Sequence, residues 1–241
     1  MENADDLDRS LMGNIRLPRA RLRAPRAAGV AGVLFSVLLF TAFMLVRFPP
    51  MDLSDAETLE WFEDSTIRGM TIAGLYLVPF AGIAFLWFIA VIRDRIGRFE
   101  DRFFSTVFIG SGLLFIATLF TGVALIGGLA AGERFLDGAS PPAADIIRST
   151  RALSVTLIFV YGEKMAGVFV FVTNTIAFRT RVFSRWVAII GYLVGLVLLV
   201  WIGFNYALVT IFPAWVTFLS IYILVTARHS GSLLGERDSS F

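Results

Sequence analysis

The sequence lacks cysteine and is nearly devoid of histidine. Without cysteine, the 241-residue chain cannot form disulfides, thiolate metal sites or a cysteine nucleophile. His229 is the only histidine, which excludes a multi-histidine haem or zinc site within one chain. Common enzyme motifs are missing too: there is no P-loop, no G-x-S-x-G, no H-E-x-x-H and no G-x-G-x-x-G that opens a soluble helix. We therefore expect no catalytic residues, no metal and no cofactor.

Charged residues are also scarce. They make up 17% of the chain, against about 25% in an average soluble domain, while 57% of the residues are hydrophobic. The net charge of +2 creates no field that would attract nucleic acid. One small soluble globule cannot bury this much apolar surface. The composition therefore predicts an all-α, polytopic helix bundle, a multi-pass protein of the cell membrane surrounded by the lipid bilayer.

Long hydrophobic runs divide the chain into six predicted transmembrane spans, because one span needs roughly 20 mainly apolar residues. The last run is about twice that length, and Gly203, Asn205 and Tyr206 at its midpoint predict a turn. A basic tail at 1–26 and a short tail at 228–241 flank the membrane domain at 27–227. The predicted spans, numbered 1 to 6, are 27–46, 69–92, 103–129, 152–178, 186–202 and 206–227.

Arginine is distributed unequally between the two sides of these spans. With six spans, 15 arginines lie on the side of the termini and 5 on the opposite side. The positive-inside rule then places both termini in the cytoplasm. The basic N-terminal tail would also attract anionic lipid of the inner leaflet, at about 1 kcal/mol per basic residue.

The loop between spans 1 and 2 contains a sequence typical of a helix start. Ser54 followed by Glu57 matches a capping box, which predicts a short helix over 55–64. The loop is acidic, and its carboxylates could attract cations. We interpret it as a solvated helix at the membrane surface, because the acidic residues lack the spacing of an EF-hand.

Span 4 carries two charges, Glu163 and Lys164, and Lys164 is the only lysine in the chain. A charge at the bilayer centre costs roughly 2.5–3.5 kcal/mol on insertion scales. By helical periodicity Glu163 shares a face with the polar residues Thr156 and Asn174, so it should point into the bundle. Lys164 would pair with Glu163 along the edge of that interface or be neutral. If the two form a buried pair, losing Glu163 alone should destabilise the protein more than losing both.

Three interpretations of these charges remain open. Glu163 could exchange protons or bind substrate on a transport path. Glu163 and Lys164 could instead form a packing pair or bind a charge on a partner subunit. In the third interpretation, both reach a water-filled cleft without a specific role. A polar, hydrated cavity that reaches either residue would favour transport, whereas dry packing would disfavour it.

Small residues at four-residue spacing predict close helix contacts. The clearest pair is Gly191 and Gly195 in span 5, and the others are Gly32 with Ser36, Thr118 with Gly122, and Gly128 with Gly132. Together with short loops and missing enzyme motifs, they favour a non-enzymatic accessory or scaffold subunit. Such a protein would form a homo-oligomer or bind a membrane protein partner. The alternatives are a small transporter or channel that uses the Glu163–Lys164 pair, and a membrane enzyme.

Three segments resemble a multi-pass membrane protein family of actinobacteria. They are FLWFIAVIRDRIGRFEDRFF at 85–104, RTRVFSRWVAIIGYLVGLVLLV at 179–200 and FPAWV at 212–216. The resemblance implies a six-helix membrane protein. It implies no particular activity and assigns a role to no residue.

Overall fold

A computed structural model describes residues 24–50, 52–96, 102–135, 142–179, 184–201 and 206–238. All regular structure in these ranges is helical. The longest unit joins α5, a π-helical segment and α6 without a break. The elements are α1 (Ala24–Leu45), α2 (Asp55–Glu63), α3 (Ser65–Ile96), α4 (Arg102–Phe135), α5 (Ala144–Thr156), the π segment (Leu157–Gly162), α6 (Glu163–Arg179), α7 (Arg185–Val200) and α8 (Tyr206–Asp238).

Four stretches of helix are long and apolar enough to cross a membrane. They are Ser65–Arg93, Arg102–Gly132, Ala144–Arg179 and Val209–Thr226, which correspond to predicted spans 2, 3, 4 and 6. Predicted spans 1 and 5 correspond to shorter apolar helices, Gly29–Leu45 and Arg185–Val200. The part of the chain that the structure describes is therefore an all-helical, membrane-embedded bundle.

Two helices extend furthest beyond the predicted spans. The helix of span 4 begins at Ala144 rather than at residue 152, and α8 continues to Asp238 rather than ending at 227. Hydropathy misses the first turns of α5 because Asp145, Arg148 and Arg151 interrupt the apolar run, although Ile147 between them is fully buried. The predicted turn at Gly203 and Asn205, and residues 1–23 of the basic tail, lie outside the described residues.

The centre of the bundle is a cluster of phenylalanines. Five helices contribute rings to it, among them Phe35 from α1, Phe85 from α3, Phe115 from α4, Phe169 from α6 and Phe212 from α8. Ring centroids lie 4.6 Å apart for Phe35 and Phe85 and 4.8 Å apart for Phe115 and Phe212. Such pairs contribute roughly 0.5–1.5 kcal/mol beyond burial. In lipid, where apolar burial does not drive helices together, this packing holds the bundle.

Helix α7 lies at the edge of the bundle. It packs mainly on α6 and has few contacts with α8, whereas α1 packs against both α3 and α8. Its outward face is apolar and exposed, with Leu193 and Val200 59% and 67% exposed. The position of α7 therefore depends on how α6 holds it.

The capping box predicted in the loop between spans 1 and 2 is confirmed. The Ser54 amide donates to a Glu57 carboxylate oxygen at 2.8 Å, and the Glu57 amide donates to the Ser54 hydroxyl at 3.4 Å. These bonds satisfy amide donors that have no partner within the helix. The box opens α2, which ends at Glu63, close to the predicted end at 64.

Arg148 at the start of α5 ties α2 to the bundle. Its guanidinium donates to Asp55 at 2.5 Å and to the carbonyl oxygen of Leu53 at 2.8 Å. Asp145 lies 3.5 Å from the same guanidinium. The loop between spans 1 and 2 and the loop between spans 3 and 4 therefore meet on one side of the bundle.

Candidate functional site

A π-helical segment precedes the two charges of span 4. It runs from Leu157 to Gly162, and π turns inside α-helices frequently occur at functional sites. Two glycines allow α4 to approach this segment. A side chain at Gly122 would contact Ile158 and the carbonyl oxygen of Ser154, and a side chain at Gly162 would contact Thr118. The Ser154 hydroxyl stabilises this contact by donating a hydrogen bond of 2.5 Å to the carbonyl oxygen of Gly122.

Glu163, the first residue of α6, is buried without a polar partner. Its exposed fraction is 5%, and neither carboxylate oxygen has a hydrogen-bond partner in the described part of the chain. The residue lines a cavity of about 20 Å³. The other side chains around this cavity are apolar and come from α1, α4, the π segment, α6, α7 and α8, among them Phe43, Phe115, Leu198 and Phe212.

Lys164, the next residue, is held by the end of α7. Its Nζ donates to the carbonyl oxygen of Leu198 at 2.9 Å and to that of Trp201 at 2.5 Å. The last carbonyls of a helix have no partner within the helix and carry its negative dipole end, so an ammonium group there is favourable. The lysine thus satisfies groups that would otherwise be costly to place in lipid.

Glu163 and Lys164, which the sequence analysis expected either to pair or to leave the lysine neutral, form no salt bridge in the structure. Arg148 forms salt bridges with Asp55 and Asp145, and neither of these involves Glu163. Adjacent residues of a helix project about 100° apart, so Glu163 reaches the cavity while Lys164 reaches α7. The two charges therefore have separate surroundings, one without a partner and one with two.

Of the two polar residues predicted on the face of Glu163, Asn174 keeps the α-helical register because α6 is uninterrupted, whereas Thr156 does not. Thr156 precedes the π segment, whose i→i+5 bonds take more residues per turn and so change the register of the helix. Asn174 lies roughly 16 Å further along the helix axis than Glu163. It is fully buried and donates to the carbonyl oxygen of Val170 at 2.7 Å. Neither residue lines the cavity.

Gly191 and Gly195 both face α6. A side chain at Gly191 would overlap the Asn174 amide, and one at Gly195 would lie 3.4 Å from the carbonyl oxygen of Gly167. Tyr192 adds a hydrogen bond of 3.0 Å to Thr175. This small-residue face therefore lies against a neighbouring helix of the same chain.

The small-residue pair Gly128 and Gly132 in α4 is different, because a side chain at either position would meet no described residue within 4 Å. Ala117, Thr121, Ala124 and Gly128 are all exposed and follow one another at spacings of three and four residues. Together with Gly132 they form one continuous face, which we call the α4 stripe. The sequence predicted a helix contact at Gly128 and Gly132. It did not show that the face also includes Ala117, Thr121 and Ala124, or that the other small-residue pairs pack inside the chain.

The chemistry available around Glu163 is limited by its surroundings. The cavity has room for about one water molecule, and a buried water needs two to four polar partners. Among the described residues, no group of three or more His, Asp or Glu side chains is placed to hold a metal ion. The carboxylate is therefore an isolated acceptor in an apolar chamber.

Comparisons with known proteins found no matching family model, no matching curated protein and no matching solved structure. The resemblance to an actinobacterial membrane protein family stays a prediction. The proposed function therefore depends on the positions and contacts of the described residues.

Proposed function

We propose that this protein is a non-enzymatic accessory or scaffold subunit of the cell membrane that acts by association of its helices. Its first partner is a second copy of the same chain, and the contact is made by the α4 stripe. The observation that carries the proposal is that, among the described residues, nothing lies within 4 Å of a side chain placed at Gly128 or Gly132.

Physical reasons favour a helix as the occupant of the stripe. Membrane helices associate through close packing, and small residues allow their backbones to approach. Elsewhere the chain uses small residues in this way internally. Side chains placed at Gly32, Gly122 and Gly191 would all meet other helices of the chain. The α4 stripe has the same residue types and spacing but lacks a partner helix, so association between molecules would complete the pattern.

We also propose six transmembrane helices with both termini in the cytoplasm. The contact of Arg148 with Asp55 supports this topology because it places the two predicted outer loops on one side. On the opposite side, the Arg179 guanidinium lies 4.7 Å from the centre of the Phe104 ring. This contact brings the start of predicted span 3 next to the end of predicted span 4. With this orientation Lys164 is about 22 Å from Arg179 along the helix, towards the outer surface of a hydrocarbon core about 30 Å thick.

The proposal is tested by adding bulk to the stripe. In lipid nanodiscs, the wild-type protein should have the mass of an oligomer, and the variant Gly128→Leu/Gly132→Leu should have that of a monomer. Ala90→Leu is the matched control, because Ala90 is exposed on α3 and lies outside the stripe. A Cβ at Gly128 or Gly132 displaces no described neighbour, so the double variant should remain folded.

Three results would decide the matter. A wild-type monomer at native expression levels with nothing co-purifying would contradict the proposal. An oligomer that survives the double leucine substitution would contradict the role of the stripe. A stoichiometric membrane protein that co-purifies with wild type but not with the variant would support a scaffold whose partner is a different chain.

One observation favours the alternative, a small transporter or channel. Glu163, which directly follows the π segment, places a carboxylate without a hydrogen-bond partner at a buried cavity. Transport also needs a hydrated path, and the apolar lining of a cavity of about 20 Å³ disfavours it. Proton or cation flux into proteoliposomes that is lost in Glu163→Gln would support transport over the scaffold function. Absence of flux under every ion gradient would reject it.

A further inference from the structure

The carboxylate of Glu163 is the most unusual polar group in the described part of the bundle. It is 95% buried, both oxygens lack a hydrogen-bond partner among the described residues, and it lines a small cavity. A buried carboxylate without hydrogen bonds is costly. A positively charged ligand that donates hydrogen bonds to the carboxylate would offset the cost of burying it in this otherwise apolar cavity.

The size of the cavity restricts the ligand to a single small ion. At about 20 Å³, it accommodates one water-sized particle and excludes larger organic amines. Lys164 does not fill this role, because its ammonium group is engaged by the carbonyl oxygens of Leu198 and Trp201. Those carbonyls form the negative end of the α7 dipole. The dipole reduces the electrostatic repulsion between Lys164 and a cation bound in the cavity.

The lining of the cavity indicates which small cation fits. Hard metal ions require many oxygen ligands, six to eight in the case of Ca²⁺, whereas Glu163 alone supplies side-chain oxygens among the described residues that line this cavity. Three aromatic rings, Phe43, Phe115 and Phe212, line the same space. Aromatic faces attract ammonium groups through cation–π interactions. A carboxylate beside aromatic rings therefore suits a cation that donates N–H bonds.

We propose that the Glu163 cavity is a binding site for one ammonium ion, held by hydrogen bonds to the carboxylate and by the surrounding phenylalanine rings. Binding would connect α6, where Glu163 lies, with α4 and α8, which supply Phe115 and Phe212. The site does not depend on the α4 stripe, which lies on the exposed face of the bundle, so helix association and ion binding can each fail without the other.

The test is binding of ammonium chloride to the full-length protein in nanodiscs, measured by calorimetry and by the shift of the unfolding temperature. Wild type should show saturable stabilisation by ammonium. Glu163→Gln retains the size of the side chain but lacks its charge, so affinity should fall by about tenfold or more. Tetramethylammonium, which is larger and has no N–H donor, should not bind.

Potassium chloride provides a control that needs no variant. Potassium has a similar size and the same charge as ammonium but donates no hydrogen bonds, so it should bind much more weakly. No saturable effect of ammonium on wild type would overturn the proposal. Equal effects of ammonium and potassium, or equal ammonium binding by wild type and Glu163→Gln, would overturn it as well.

Discussion

Lys164 of α6 donates a hydrogen bond of 2.9 Å to the carbonyl oxygen of Leu198, in the last turn of α7. A second bond, of 2.5 Å, reaches the carbonyl oxygen of Trp201. The only lysine of the chain therefore serves as a C-terminal cap for a helix that is separate in sequence. Since α7 has few other contacts beyond α6, this cap holds the end of an otherwise peripheral helix.

Replacing Lys164 by methionine should loosen the end of α7. Hydrogen bonds to charged groups contribute about 1.5–3 kcal/mol each, and partial exposure of this site favours the lower end, so we expect the loss of both bonds to cost about 3 kcal/mol. Thermal unfolding in detergent measures the loss, and hydrogen exchange at Val200 and Trp201 should accelerate locally. Lys164→Arg, which keeps the charge and the donors, is the control. A methionine variant as stable as wild type would show that the cap contributes nothing.

The effects of Glu163 and Lys164 on stability should be nearly independent. If they formed a buried ion pair, removing one would cost about 3–5 kcal/mol and removing both would recover most of it. Because Lys164 has its own partners on α7, Glu163→Gln/Lys164→Met should instead be about as unstable as Lys164→Met. We expect a coupling energy below about 1 kcal/mol in the double-mutant cycle. Recovery of stability in the double variant would reinstate the ion pair.

Gly191 and Gly195 should differ sharply in their tolerance of alanine. A methyl group at Gly191 would overlap the buried amide of Asn174, whereas one at Gly195 would have ordinary contacts near 3.4 Å. Overpacking of this kind typically costs about 1–3 kcal/mol. Gly191→Ala should therefore lower the unfolding temperature, and Gly195→Ala, its matched control, should leave it nearly unchanged. Equal behaviour of the two variants would contradict the packing of α7 on α6.

The start of α2 should weaken in acid. Hydrogen bonds from the side chain and the backbone of Ser54 hold the pKa of Glu57 below its usual value near 4.5. A lowered pKa in the folded state means that the stabilisation is complete above the unfolded pKa and is lost as the pH falls through the folded pKa. The protection of the Thr58 amide, which is its exchange rate relative to the intrinsic rate at the same pH, should therefore fall below about pH 4. Glu57→Gln should remove this pH dependence; if it persists, another group is responsible.

Hydropathy and local motifs predicted the elements that depend on nearby residues. The apolar runs located the helices, and Ser54 with Glu57 located the start of α2, because both signals are local in the sequence. The start of α5 was not predicted because its charged residues interrupt the apolar run in the sequence. Ile147 in the same turns is nevertheless fully buried.

The partners of the charged residues depend on contacts between distant parts of the chain, and local periodicity cannot supply them. Leu198 follows Lys164 by 34 residues, and only the packing of α7 on α6 brings the two together. The π segment likewise breaks the α-helical register on which the grouping of Thr156 with Glu163 was based. Which small-residue faces are open depends on the whole bundle for the same reason.

Cross-linking between molecules tests the central claim, association through the α4 stripe, most directly. The chain has no cysteine, so Ala124→Cys introduces a unique thiol on the stripe and Ala90→Cys a matched exposed thiol on α3. A disulfide requires Cα atoms within about 4.4–6.8 Å, a distance that small-residue helix contacts can reach. We predict that mild oxidation in native membranes gives a covalent dimer for Ala124→Cys and none for Ala90→Cys. Dimers from both positions, or from Ala90→Cys alone, would contradict association through this face.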